Sequence, residues 1–277
     1  MPPRNIEVLF ILIRGLGRES EHWGDFPKKL QAKISNSLVK CIDLPGTGEN
    51  LAMTSPIHMR ELSEFVRHET EFFKEKNKIE KIPTFILAPS LGGMVAADWM
   101  LSYPKDLEGA ILINTSFSSW SKIWERLQPQ AIRHILQIVL KEKDFFARES
   151  EVVKMVSNDK EKFSLHAKAW SHVFSARPIQ LTTIMRQLIA AHSFKPPKVK
   201  IETPTLLLAS SKDRMVNPVC SELIQKVWQC SMEIHPWAGH DIPLDDADWV
   251  VDKTLMWYES LVGKSERSAP AQRTANH

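Results

Sequence analysis

The segment from Ile82 to Ala97, IPTFILAPSLGGMVAA, passes from an apolar run to a helix-forming one across a few small residues, with a serine at the turning point. Residues 84–87 are apolar and partly β-branched, which suits a strand buried on both faces of a parallel sheet, and Pro83 is tolerated at its start. Residues 94–101 are rich in helix formers, with no glycine or proline before Tyr103-Pro104. A strand and a helix joined this tightly put Ser90 on a strained backbone, where bulky residues two positions to either side would collide. Ala88 and Gly92 are the small residues required, and Gly93 removes a side chain where the helix must lie close to the sheet. Unpaired N–H groups at the helix start lower the energy of negative charge developing near Ser90. A nucleophile belongs at such a position; a serine that only caps a helix is the alternative.

Around this unit, short apolar runs alternate with longer amphipathic ones. Strands are expected at 7–13, 38–42, 84–87, 110–113, 205–209 and 232–235, and helices at 22–34, 59–76, 91–102, 218–228 and 246–261. Such alternation predicts an α/β fold with a parallel sheet covered on both faces. The segment 117–194 carries no strand pattern but has helical apolar spacings, such as Ile132, Ile135, Leu136, Val139, Leu140 and Leu181, Ile184, Met185, Leu188, Ile189. It reads as a helical cap inserted into a core of 1–116 and 195–263. Residues 264–277 are polar and lack a core-forming pattern, and are expected to be a frayed, disordered tail.

Length and charge narrow the function. A chain of 277 residues can hold one large domain with an insertion, and a net charge of +3 with no basic run interleaved with aromatics excludes a nucleic-acid partner. Cys41, Cys220 and Cys230 are odd in number and lack C-x-x-C spacing, so free thiols in a reducing compartment are expected. The apolar run at 6–13 is too short to span a bilayer and no cleavage site follows it. A cytoplasmic protein with no integral membrane segment is the expectation. No histidine and carboxylate group has metal-ligand spacing, and no cofactor is predicted.

A serine hydroxyl needs a base to take its proton, and the base needs an acid to hold its tautomer. In doubly wound sheets these groups sit on loops just past the strands. Asp213 follows the fifth predicted strand and His240 follows the sixth, while the loop after the fourth holds Asn114-Thr115-Ser116 and no carboxylate. Of the ten histidines, His240 has a preceding glycine and a loop to carry it; His22, beside Trp23, either lines a pocket or starts a helix. Asp245 and Asp246 suit the N-terminal dipole of the last helix. After the first strand, Arg14-Gly15-Leu16-Gly17 allows close backbone approach to a ligand, or is simply a permissive turn. The loop from Asp43 to Gly48 reads as a shaped turn with Asp43 structural.

Taken in order, the loop from Arg14 to Gly17, the D-L-P-G-x-G loop at 43–48, the elbow at 88–93 and the Asp213 then Gly239-His240 pair resemble the α/β-hydrolase superfamily over residues 7–261. The resemblance implies an α/β-hydrolase fold: a doubly wound, mostly parallel sheet with an inserted helical cap, as in capped serine esterases. With the first predicted strand at Glu7, the two strands that usually come first are expected to be absent, leaving a six-stranded sheet. By resemblance Ser90 is the nucleophile, His240 the general base, Asp213 its orienting acid, and the amides of Leu16 and Leu91 the oxyanion hole. Ala88 stands in place of the first elbow glycine, and Arg14 in place of the usual histidine. That arginine either braces the first loop differently or puts a cation at the pocket edge. Arg14 and Gly15, with Trp120 and Trp124 from the aromatic-rich cap, are the candidate substrate-binding residues. Serine at position 90 argues against relatives that use an aspartate nucleophile. A small or medium carboxylic ester is the expected substrate. Carbon–carbon bond hydrolysis, amidase, thioesterase or acyltransferase chemistry, and a non-catalytic small-ligand receptor, are the alternatives.

Overall fold

A computed structural model describes residues 6–141 and 143–268. Six parallel strands form one sheet: β1 (Val8–Leu12), β2 (Ser37–Cys41), β3 (Thr84–Pro89), β4 (Gly109–Ile113), β5 (Thr205–Ser210) and β6 (Ser231–His235). Each lies within two residues of its predicted bounds. The order across the sheet is β2-β1-β3-β4-β5-β6. The chain therefore leaves β1 toward one edge and returns to build the other half from β3. The crevice between β1 and β3, at their carboxyl ends, is the switch point where ligands bind in such sheets.

Strand alternation feeds two cores. Leu9, Ile11, Ile86 and Ala88 face a cluster shared with α2 (Met59–Asn77), α3 (Leu91–Ser102) and α9 (Val219–Trp228). Val8, Phe10, Leu12, Phe85 and Leu87 face the opposite cluster, built with α1 (Phe26–Lys33) and α11 (Ala247–Ser268). The helix predicted at 22–34 is split in two. A short 3-10 turn at Ser20–Trp23 ends at Gly24, whose φ of 55° breaks the helical path, and α1 restarts with Pro27 in its first turn.

Between β4 and β5 the described residues form five α-helices, α4 (Ile123–Arg126), α5 (Pro129–Leu140), α6 (Phe145–Val156), α7 (Phe163–Ala176) and α8 (Leu181–Ser193), with a short 3-10 turn at Lys160–Lys162. Helices α5 to α7 share a third cluster around Val153, Met155, Ala167 and Trp170. The end of α8 does not belong to it: Ala190, Ala191 and Phe194 pack with Phe117 and Trp120 into the α2–α3 core. After β6 come α10 (Ile242–Asp245) and α11, which continues to Ser268, past the expected start of a tail at 264. Residues 269–277 lie outside the described residues.

Close approach between α3 and β1 sets the geometry of the switch point. A Cβ on Gly92 would lie 2.8 Å from the carbonyl oxygen of Arg14 and 2.9 Å from that of Ile13, and backbone cannot move aside cheaply. Gly92→Ala is expected to cost about 1–3 kcal/mol. A fall of several degrees in melting temperature, followed by far-UV circular dichroism, would show it; an unchanged melting curve would mean the helix does not press on β1.

Candidate active site

Ser90 occupies the turn from β3 into α3 with φ 52° and ψ −119°, a conformation that a residue with a Cβ rarely adopts. Its peptide is pinned on both sides: Ser90 N–H donates to the Ile113 carbonyl at 2.8 Å, and Thr115 Oγ1 donates to the Ser90 carbonyl at 2.8 Å. The first loop runs directly beside it. A Cβ on Gly15 would stand 3.2 Å from Ser90 Cβ and 3.8 Å from Ser90 Oγ, so glycine keeps that side of the hydroxyl open. Leu91 is the first residue of α3, and its N–H precedes the helix's own hydrogen-bond ladder.

Asp213 and His240 meet at the ends of β5 and β6, and both are buried. His240 Nδ1 lies 2.7 Å from Asp213 Oδ2, while Asp213 Oδ1 accepts from the amides of Met215 at 2.7 Å and Val216 at 3.0 Å. The carboxylate is thus fixed by its own loop before the histidine uses it. With Nδ1 bonded to the carboxylate, the neutral ring carries its proton there, leaving Nε2 as the acceptor. That Nε2 is buried and has no hydrogen-bond partner among the described residues. Burial opposes a charge on His240, but the Asp213 charge and hydrogen bond, helped by Asp241, outweigh it and raise the pKa above the usual 6.5.

The His240 loop is braced from three directions. Asn114, with φ 46° at the end of β4, donates from Nδ2 to the His240 carbonyl at 2.8 Å and accepts from Ser210 N–H at 2.9 Å. Asp245 accepts from the Gly239 amide at 2.6 Å and from the Asn158 amide at 2.9 Å, so it ties two loops together. Its neighbour Asp246 does stand at the start of α11, bonding the Trp249 amide at 3.0 Å. Finally, Arg14 forms a two-pronged pair with Asp241, Nη1 to Oδ1 at 3.2 Å and Nη2 to Oδ2. Both side chains are buried, and the guanidinium lies 4.6 Å from the Trp23 ring centroid. The cation is engaged with the loop that carries His240, which is the bracing role.

More polar groups converge on the first loop from the inserted helices. Gln187 of α8 is fully buried and accepts the Gly17 N–H at 2.9 Å, its Nε2 having no partner among the described residues. Arg18 pairs with buried Glu149 of α6 at 2.7 Å, and Glu19 pairs with Arg177. Arg18 Nη1 also reaches His22 Nε2 at 2.9 Å, and burial, then the nearby arginines, hold the His22 pKa well below its usual value. His22 is therefore a neutral, buried acceptor, edge-on to Trp170. Asp43 is a loop brace, bonded to Ser20 N–H and Oγ at 2.6 Å and to Glu49 N–H at 2.9 Å.

Of the residues expected at the site, Gly15 stands beside Ser90 and Asp213 meets His240. Trp120 packs against Phe117 and Trp228 and donates to the Pro196 carbonyl at 2.9 Å, whereas Trp124 is exposed with Lys122 over its ring. Trp120 is thus part of the core cluster, and Trp124 faces outward. Asn114, Thr115, Asp241, Asp245 and Gln187 escaped sequence reasoning as site residues; the one available signal was the polar run Asn114-Thr115-Ser116 at a strand end. The cysteines are unpaired, and burial pushes the Cys41 thiol up to about 12 and those of Cys220 and Cys230 to about 11, which suppresses any thiolate nucleophile. Among the described residues, no group of three His, Cys, Asp or Glu side chains is placed to hold a metal, and no helix is long and apolar enough to cross a membrane.

A family model described as serine aminopeptidase, S33, matches residues 4–247. A search of curated proteins found no significant match. Among solved structures, 2-hydroxy-6-oxo-6-phenylhexa-2,4-dienoate hydrolase from Rhodococcus sp. strain RHA1 superposes with a TM-score of 0.73 at 16% identity, covering 91% of each chain. A lipase-esterase related protein from Clostridium acetobutylicum gives 0.69 at 14% identity over 92% of this chain and 96% of its own. A thermophilic esterase from Thermogutta terrifontis gives 0.66 at 16% identity over 92% and 90%. At these identities the likeness is one of fold.

The Arg14–Asp241 pair generates a direct test. Removing one partner strands a buried charge, so Arg14→Met or Asp241→Leu should each lose about 3–5 kcal/mol, on the order of 10 °C in melting temperature. The double variant Arg14→Met/Asp241→Leu should regain much of that loss. Strictly additive losses in calorimetry would mean the two side chains are not coupled.

Proposed function

Because the chain belongs to the serine aminopeptidase S33 family of α/β-hydrolases, we propose that it is a serine hydrolase cleaving a small or medium carboxylic ester through an acyl-enzyme. One observation carries this reading: a buried histidine held by a carboxylate at 2.7 Å through Nδ1, with its Nε2 unpartnered, on the same sheet edge as a serine with positive φ. Ser90 Oγ attacks the ester carbonyl while His240 Nε2 takes its proton. The oxyanion that forms is held by the amides of Leu91 and Leu16, the first at the start of α3 and the second in the loop against Ser90. Collapse expels the alcohol, which receives the proton from His240, and a water activated by the same nitrogen releases the acid. Asp213 keeps the ring in the productive tautomer throughout.

Helices α4 to α8 act in this reading as the cap over residues 117–194, and their inner surface bounds the acyl pocket. An ester is favoured over the aminopeptidase substrate of the family description for an electrostatic reason. A free α-ammonium needs an anion to hold it, and around the first loop Glu19, Glu149 and Asp241 are each paired with an arginine.

A fluorophosphonate probe should label the protein, with labelling abolished by Ser90→Ala and by His240→Ala. p-Nitrophenyl esters of graded chain length should turn over, and aminoacyl p-nitroanilides should not. Folded protein that hydrolyses only the anilides would replace the ester reading with the peptidase one.

The base must be neutral to work, so kcat/KM should rise with pH along a one-proton limb. With the His240 pKa raised, that limb should have its midpoint above 6.5. Asn114→Ala removes the hydrogen bond to the His240 carbonyl and should lower kcat more than it raises KM. A limb centred below 6.5 would contradict the assignment of His240 as a base coupled to Asp213.

A further inference from the structure

Two of the inserted helices carry an apolar stripe on the wrong side. On α5, Ala131, Ile135 and Ile138 pack inward against α6, yet Ile132, Leu136, Val139 and Leu140 form a second stripe that is 45–78% exposed. On α8, Thr183, Gln187, Ala190 and Ala191 are the buried face, while Leu181, Met185, Leu188 and Ile189 are 49–65% exposed. The two outer stripes share one spacing, i, i+4, i+7, i+8, which places each on a single helical face. Just ahead of α5 in the chain, α4 adds Ile123 and Trp124, each 59% exposed. Exposed apolar stripes of this length mark interaction sites.

Charge identifies what it meets. Residues 117–200 contain 15 Lys and Arg against 7 Asp and Glu, a net of +8; the rest of the chain contains 21 against 26, a net of −5. Lys122, Arg133, Lys143, Lys195, Lys198 and Lys200 are exposed and flank the stripes in sequence. A second copy of the same face would set two basic segments against each other. A basic rim around outward leucines and a tryptophan fits an anionic lipid surface instead, with the side chains in the acyl boundary and the lysines at the headgroups. We propose that the outer faces of α4, α5 and α8 dock the protein peripherally onto anionic bilayers, delivering an apolar substrate to the switch-point crevice beneath.

The full chain would be floated with vesicles of phosphatidylcholine alone and of phosphatidylcholine mixed with phosphatidylglycerol. It should bind the anionic vesicles at about 0.1 M salt and bind much less at about 1 M, where screening shortens to about 3 Å. Leu136→Asp/Leu140→Asp and Met185→Asp/Leu188→Asp should each reduce the bound fraction at least ~10-fold. Lys195→Glu/Lys198→Glu should weaken binding to anionic vesicles only. The two Asp pairs lie on different helices and replace exposed side chains, so melting curves will identify a variant that retains the fold. Absence of flotation, equal binding to neutral vesicles, or full binding by folded Asp variants would overturn the proposal. So would a dimer in light scattering that the Asp variants split while vesicles remain unbound, which would assign the face to a second copy. Ser90→Ala should bind vesicles like the unaltered chain, so the docking result is independent of the proposed chemistry.

Discussion

The contact between α3 and the carboxyl end of β1 is the constraint from which the site follows. Because Gly92 lacks a side chain, the helix starts almost on the Ile13 and Arg14 carbonyls, and the first loop is drawn against Ser90. Ser90 must then turn the chain from strand to helix within one residue, which costs it a positive φ, a strain on the order of 1–3 kcal/mol. Bonds to Ile113 and Thr115 on the neighbouring strand end hold it there. Strain and close approach at one point leave Ser90 half-buried at the head of α3 with Gly15 against it, and neither would persist without the sheet underneath.

The second half of the site is held differently. His240 sits in a loop outside the regular elements, tied by the Asp241 N–H to the Val156 carbonyl at 2.9 Å, and its position is set further by buried polar groups from Asn114, Asp245, Asp213 and Arg14 through Asp241. Buried ion pairs and amide bonds of this sort give little net stability, since desolvation offsets the attraction. What they do supply is a single geometry, because any displacement leaves a charge or an amide unsatisfied in a low-dielectric setting. Arginine at position 14 suits this: its planar fork matches a carboxylate at two points, and its face rests on Trp23.

How much of this was legible in the sequence depended on range. Strand runs and the elbow are local patterns, and all six strands and the turn at Ser90 stand where those patterns put them. The Asp213 and His240 positions followed from strand ends, since a doubly wound sheet gathers its loops at one edge. The bracing contacts had no such signal. Arg14 and Asp241 are 227 residues apart, and Gly17 and Gln187 are 170 apart; nothing in their neighbours marks them as partners. The predicted helix at 22–34 broke because Gly24 adopts a backbone that helical periodicity does not reveal. Trp120 looked like pocket aromatic material, but packing with Phe117 and Trp228 claimed it for the core.

Helix α8 reverses the usual sense of amphipathicity, while α5 to α7 keep an apolar cluster between them. Toward the first loop the inserted segment presents polar groups, Gln187 to Gly17, Glu149 to Arg18 and Arg177 to Glu19, because that loop offers amides and charges rather than a hydrocarbon surface. Helix α8 therefore places threonine and glutamine inward, and much of its apolar content falls on the outside. In water alone such an arrangement is disfavoured, since the exposed leucines gain nothing from folding. It becomes favourable where the outer medium is itself apolar. The same three side-chain contacts tie the inserted helices to the loop that lies beside Ser90, so the outer surface and that loop are held by one set of polar bonds.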